Sequence, residues 1–311
     1  MSNYTVQDWQ RQLQAAQSAD CKEPVYRWIR PWLDVWARRQ LQSETLKKYT
    51  PQWVLPEMGF PLVTRRRWGS GYKRLEGKTI LIQGTGNGCD VVSWAMLKPA
   101  RIIAVDLFPF ESWNAVAEVA NKKYGVSVEF YVAALDHLGF LQDASVDLCA
   151  SDAVFEHVVN LSEAMREARR VLKPDGLLYA GYGPLWYCAG GDHFARGELR
   201  HAFNHLLLDK PTYTEYYRRY KLPVEDFQSG GRYIELDLFS HLRTQDYFDI
   251  YAEAGFRVDG LILEVSRLTL RFRNTFPLLF QELERRNPQC HSDDFVIKTH
   301  LVRLTRLEKE S

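Results

Sequence analysis

Three glycines at alternate positions, Gly84, Gly86 and Gly88 in ILIQGTGNG, and an aspartate 18 residues after the last of them, Asp106 at the end of IIAVD, have the types and spacing to do chemistry. Glycine lets a chain turn sharply and lets its backbone approach a ligand, because no Cβ stands in the way. A helix starting near Cys89 would aim its N-terminal amides at the same place. An acid at the end of the next strand, at this distance, accepts hydrogen bonds from ribose hydroxyls. The pattern is GxGxG; the dinucleotide fingerprint GxGxxG would need glycine where Cys89 stands, which argues against a nicotinamide or flavin cofactor. These residues read as a nucleoside-binding half-site.

Histidines form the second group. His157 in AVFEHV and His193 in GGDHF could each take a proton from an acceptor, with a structural histidine bonded to the backbone as the alternative. HAFNH sets His201 and His205 at i and i+4 on one helix face, and with Asp192 and His193 they raise a metal reading. No HExxH and no cysteine pair accompanies them, so no metal is expected.

These residues need a scaffold. Ile80, Leu81 and Ile82 form an apolar run with nothing polar to solvate, as in a strand buried on both faces of a parallel sheet. Similar runs at 101–105, 127–133, 146–151 and 176–182 alternate with helical patterns at 89–98, 111–124 and 161–172, the last opened by Asn160 with Glu163 three residues on. Such alternation gives right-handed crossovers and a parallel sheet. Its ligands bind beyond the carboxyl ends of the strands, where strand order reverses.

Around this α/β core, expected at 79–183, the sequence suggests three further parts. Residues 1–78 read as a helical N-terminal extension or lid. There Val6, Trp9 and Leu13 share one face and Trp28, Trp32 and Trp36 another, a packing seam against the main domain or a wall over an acceptor pocket. Its later part, 49–78, carries prolines and Arg65 to Arg67 and reads as irregular, with the arginines in a solvated turn. Residues 184–240, aromatic and irregular, read as an insertion at the ligand edge. Residues 241–311, with a helix from Thr244 and strands at 257–265 and 295–304, complete the sheet.

The 311 residues include 40 basic and 39 acidic ones, a formal charge of +1. That leaves no global field to attract nucleic acid or an anionic membrane. Five cysteines without a CxxC pair suggest free thiols in a reducing compartment. Without an apolar run of about 20 residues or an apolar signal core, a soluble cytoplasmic protein is expected.

Taken in order, ILIQGTGNG, IIAVD, SVDLCASDAVFEHV and ARRVLKPDGLLYAG resemble the class I S-adenosylmethionine-dependent methyltransferases over roughly residues 79–183. The resemblance implies a Rossmann-like sheet of seven strands, the last antiparallel and inserted between the fifth and sixth. It implies S-adenosylmethionine as cofactor, with Gly84, Thr85, Gly86 and Gly88 at its methionine and ribose parts and Asp106, with Leu107 beside it, at the ribose. Ala134 and Leu135 would lie by the adenine, and Ser151 and Asp152 would close the pocket. Two positions depart from the family pattern: Ile82 stands where an acid is usual, leaving the amino-group contact to Gln83, a carbonyl or water, and Ala134 replaces the acid after the third strand, leaving adenine to Asp136 or to no partner. Family topology puts His157 near the transferred methyl group, as first base, with His193 second. Tyr182, Trp186 and Tyr187 would shape the acceptor pocket by stacking, with a place in the core as the alternative.

The expected activity is methyl transfer to a small molecule, at a hydroxyl of a sugar, glycan precursor or secondary metabolite. N- or C-methylation of a natural product, or a non-catalytic binding protein on the same fold, are the alternatives. A nucleic-acid substrate is not expected: there is no basic stripe and no Asn-Pro-Pro-Tyr signature, SDAV standing in its place.

Overall fold

The computed structural model describes residues 23–57, 62–71, 73–193, 198–221 and 237–307; the helical face of Val6, Trp9 and Leu13 lies outside them. Eight strands form one sheet: β1 (Trp53–Pro56), β2 (Thr79–Gln83), β3 (Arg101–Asp106), β4 (Ser127–Val132), β5 (Val146–Asp152), β6 (Leu172–Tyr182), β7 (Phe256–Val265) and β8 (Ile297–Arg306). Their order is β1-β7-β8-β6-β5-β2-β3-β4. The central strands are apolar because both faces are covered: Ile80, Leu81 and Ile82 are all buried. All pairings are parallel except those of β8, which runs antiparallel between β6 and β7. This is the expected class I methyltransferase sheet with one strand added at its edge.

The added strand lies in the stretch expected to be irregular. Trp53 to Pro56 pair in parallel with Ile262 to Val265 of β7. Proline is tolerated there because an edge strand need not donate on its outer side. Preceding it is helix α1 (Glu23–Arg38), and Asp34 Oδ1 accepts the Val54 amide at 2.7 Å. The tryptophan stripe does not form the expected seam. Trp28 and Trp32 are 78% and 75% exposed and Trp36 is 42% exposed, while Ala37 of the same helix is buried. Helical periodicity marked a face correctly, but α1 turns its other face to the sheet.

After β2 the crossovers are α4 (Cys89–Ala95) and α5 (Trp113–Tyr124), numbered after α2 (Ser43–Tyr49) and α3 (Leu62–Gly69); α6 (Leu161–Val171) joins β5 to β6. Asn160 makes no side-chain cap at α6, contrary to the capping-box expectation. On either face of the sheet the core is apolar, with Leu81, Ile103 and Cys149 on one side and Ile80, Ile82 and Trp94 on the other. No helix among the described residues is long and apolar enough to cross a membrane.

Candidate functional site

At the carboxyl end of the sheet β2 lies between β3 and β5, and strand order reverses there. A cavity of ≈ 250 Å³ opens at this point, lined by Gly84 after β2, Asp106, Leu107 and Phe108 after β3, Ala133 to Asp136 after β4, and Ala153, Val154 and His157 to Asn160 after β5, with Leu238 from the insertion. Of the positions expected to bind cofactor, Gly84, Asp106, Leu107, Ala134 and Leu135 are in this lining.

The glycine turn and Asp106 are one unit. Gly86 donates its amide to Asp106 Oδ2 at 2.7 Å, and Phe108 donates to Oδ1 at 3.1 Å. Desolvation holds the carboxyl of Asp106 above its ordinary pKa, opposed by the backbone donors of Gly86, Phe108 and Leu107. Gly84 has φ +75°, and a Cβ there would meet Val154 Cγ2 at 2.2 Å, so the cavity wall requires glycine. Gly88 answers to packing instead: a Cβ there would meet Val116 of α5 at 2.9 Å.

Several buried polar atoms at this strand end make no hydrogen bond among the described residues: Gln83 Oε1 and Nε2 and Thr85 Oγ1. Gln83 is 1% exposed and Thr85 3% exposed. Buried polar groups are nearly always paired, so these fit a site whose ligand or water completes them. The aspartate acceptor, the bare backbone at Gly84 and these groups suit a nucleoside with a polar tail.

Ser151 and Asp152 do not line the cavity. Ser151 donates to the Gln83 carbonyl at 2.9 Å and ties β5 to β2. Asp152 accepts from Tyr179 Oη at 2.8 Å and Arg65 Nη1 at 3.2 Å on Oδ1, and from Arg66 on Oδ2. Arg66 is wholly buried, also pairs with Asp90 at 2.5 Å and lies 4.9 Å over the Trp94 ring. Of the arginines expected in a solvated turn, Arg65 and Arg66 thus sit in α3 and hold the end of β5, while Arg67 is exposed. Burial pushes the Asp90 carboxyl up to about 6 even though Arg66 pulls it down.

Both base candidates come together. His157, in the 3-10 turn Phe155–His157, faces His193 edge-on with ring centroids 4.6 Å apart. His157 Nδ1 lies 2.9 Å from the Leu238 carbonyl, so it carries the proton and donates it, leaving the lone pair on Nε2. Burial pushes the His157 imidazole down to about 4, which keeps it neutral. Beside it Glu156, 1% exposed, accepts the Gly183 amide at 3.0 Å on Oε1, and burial pushes its carboxyl up to about 7. Ligand atoms of Glu156, His157 and His193 all lie within 4.8 Å of one another. Glu156 escapes sequence reasoning; its place inside AVFEHV is the one signal available.

The four residues of the metal reading go different ways. His205 Nε2 lies 2.8 Å from the Trp186 carbonyl, and His201 Nδ1 lies 2.5 Å from Tyr216 Oη. Asp192 accepts from Tyr213 Oη at 2.7 Å, with His205 Nδ1 3.9 Å away. Tyr182 is core, 1% exposed and bonded to Tyr251 and His300. Trp186 packs against Phe239 and His241 in the insertion.

Residues 81–180 match the family described as methyltransferase domain. An uncharacterized 37.1 kDa protein of a Streptomyces fradiae transposon is 32% identical over 113 residues, 35% of this chain and 31% of that protein. The ubiquinone biosynthesis O-methyltransferase of Pseudomonas syringae pv. tomato is 30% identical over 116 residues, 37% of this chain and 48% of the relative. The chain thus spans less than half the length of these curated relatives. Among solved structures, an S-adenosylmethionine-dependent methyltransferase from Mesorhizobium loti aligns with a TM-score of 0.44 at 18% identity, over 75% of this chain and 93% of that one.

Proposed function

The α/β core is that of the class I S-adenosylmethionine-dependent methyltransferases, and on this basis we propose that the protein transfers a methyl group from S-adenosylmethionine to a hydroxyl of a small molecule, a sugar, glycan precursor or secondary metabolite. S-adenosylmethionine is its cofactor. The observation that carries the reading is Asp106, held by the Gly86 and Phe108 amides at the edge of the switch-point cavity with acceptor positions left over for a ribose diol.

Methyl transfer from a sulfonium is an in-line displacement in which the protein chiefly holds the acceptor near the methyl carbon. In this reading the nucleoside lies against Gly84 and Asp106, and the acceptor enters from the side of the 184–240 insertion, whose Leu238 reaches the cavity. His157 lines the cavity and stands beside Glu156 and His193, which supports a reading in which this cluster helps an acceptor hydroxyl lose its proton. Histidine and carboxylate neighbours suit a hydroxyl, whose proton must leave as the new bond forms, more than a thiol or amine.

Two measurements test the reading. Calorimetric titration with S-adenosylhomocysteine should give one site per chain, and pools of small hydroxylated molecules should incorporate label from methyl-labelled donor. Failure of the intact chain to bind the nucleoside would refute it.

A further inference from the structure

We propose that Glu156, His157 and His193 form a binding site for one divalent transition-metal ion of the Zn²⁺ type, facing the cofactor cavity on its acceptor side. The site differs from the Asp192, His193, His201 and His205 set raised by the sequence and shares only His193 with it.

Geometry carries the case. One ligand atom from each of the three residues lies within 4.8 Å of the other two. An ion centred in an equilateral triangle of that edge would be ~2.8 Å from each corner (4.8/√3), so a contraction of ~0.7 Å brings all three to the 2.0–2.2 Å of imidazole and carboxylate bonds to zinc. Glu156 Oε2 is buried and makes no hydrogen bond among the described residues, although its partner oxygen accepts the Gly183 amide. An acceptor oxygen buried in that way wants a cation or a donor. His157 makes the kind of outer bond that orients a metal-binding imidazole: Nδ1 donates to the Leu238 carbonyl, which fixes the tautomer and the direction of the ring. His193 is held at φ +63°, a left-handed conformation that a side chain seldom takes, beside the His157 ring.

The donor set selects the ion. Two imidazoles and one carboxylate suit Zn²⁺, Co²⁺ or Fe²⁺; Mg²⁺ and Ca²⁺ prefer oxygen ligands throughout. Three protein ligands leave a coordination position open, as in catalytic zinc sites. The ion's role rests on the methyl-transfer reading above; its binding does not. An acceptor hydroxyl bound at the open position would lose its proton to solvent. Its oxygen lone pair then forms the bond to the methyl carbon, and the carbon–sulfur bond breaks with its electron pair staying on sulfur as the neutral thioether. A cation that lowers the pKa of the hydroxyl supplies what a neutral histidine supplies poorly.

Co²⁺ is the probe, because it replaces zinc in such ligand sets and absorbs visible light. The full chain, stripped by chelation, is titrated with Co²⁺ while the visible band is recorded, and S-adenosylhomocysteine affinity and thermal melting are measured on the same samples. The expected result is a band that saturates at one equivalent and whose affinity falls at least tenfold in both Glu156→Gln and His193→Gln, with melting and nucleoside affinity within threefold of the parent. His193→Gln alone decides the matter if Glu156→Gln does not fold. No saturating band in the parent, or a band unchanged in the variants, overturns the site. Cobalt binding without nucleoside binding would uphold the site and defeat the methyltransferase reading; the reverse would do the opposite.

Discussion

Replacement of Asp106 by asparagine should weaken nucleoside binding on the order of a hundredfold while leaving the fold intact. The carboxylate already accepts the Gly86 amide at 2.7 Å and the Phe108 amide at 3.1 Å. A carboxylate offers about four acceptor positions, so with the Leu107 N–H also facing it one or two remain for a ribose diol. Hydrogen bonds to a charged group contribute roughly 1.5–3 kcal/mol each. Asparagine converts one oxygen to an amino group, which must either face a backbone N–H or turn a donor toward the sugar. One diol bond is then lost and the other loses its charge, a cost of about 3 kcal/mol, on the order of a hundredfold in Kd. Folding should suffer little, because burial of this carboxylate is itself unfavourable and holds its pKa up. The same shift sets a pH dependence. On acidification the carboxyl protonates at a higher pH than an ordinary aspartate and loses an acceptor, so parent affinity falls; Asp106→Asn lacks that phase. Calorimetric titration of S-adenosylhomocysteine against parent and variant between pH 7.5 and 5 measures both effects. A variant Kd within threefold of the parent at pH 7.5 would refute the assignment of Asp106 to the ribose.

Three further outcomes are expected. Arg66→Met should cost about 1.5–3 kcal/mol in urea unfolding, since it takes from the part-buried Asp90 its arginine partner and from Asp152 one of two; a loss under about 1 kcal/mol would contradict the network. His300 is fully buried and desolvation pushes its imidazole down to about 3. Its folded pKa lies below the unfolded value near 6.5, so stability is lost as pH falls below 6.5, by about 1.4 kcal/mol per unit from this group. His300→Gln should show a shallower slope of unfolding free energy between pH 6 and 4.5, and an unchanged slope would count against the burial argument. Trp28→Ser and Trp32→Ser should each leave stability within about 0.5 kcal/mol, as surface substitutions do; a multi-kcal/mol loss in thermal or urea melts would restore a packing role for the stripe.

What the sequence made legible follows from how local the physics is. Central strands such as Thr79–Gln83 show themselves because a strand buried on both faces must be apolar throughout. The turn at Gly84 is legible because its conformation excludes other residues, and Asp106 because it ends the next strand. β1 was not: four residues ending in proline carry no period, and their pairing partners are some two hundred residues away on β7. Arg66 looked solvated because its acceptors, Asp90 and Asp152, lie 24 and 86 residues downstream. Glu156 was hidden for the same reason: its surroundings include the Gly183 amide and, through its own carbonyl, the Ser240 amide. Charge alone predicts exposure, and only tertiary pairing reverses that.

Asp152 shows how the N-terminal residues act on the turn of Glu156 and His157 without touching it. By resemblance Asp152 would help close the cofactor pocket, yet its oxygens are taken by two arginines of α3 and by Tyr179 of β6. Those bonds fix the last residue of β5. The next residue, Ala153, is held at φ +54° and donates its amide to the Gly181 carbonyl at 2.7 Å. A left-handed alanine costs on the order of 1–2 kcal/mol and persists only where its neighbours hold it. From that bend the chain runs through Val154, against the Gly84 backbone, into the turn that carries Glu156 and His157. A buried charge network on one side of the strand end therefore sets the direction in which the histidine leaves on the other. The arginine pair, which looked like surface decoration, is best understood as the anchor of the turn that carries Glu156 and His157.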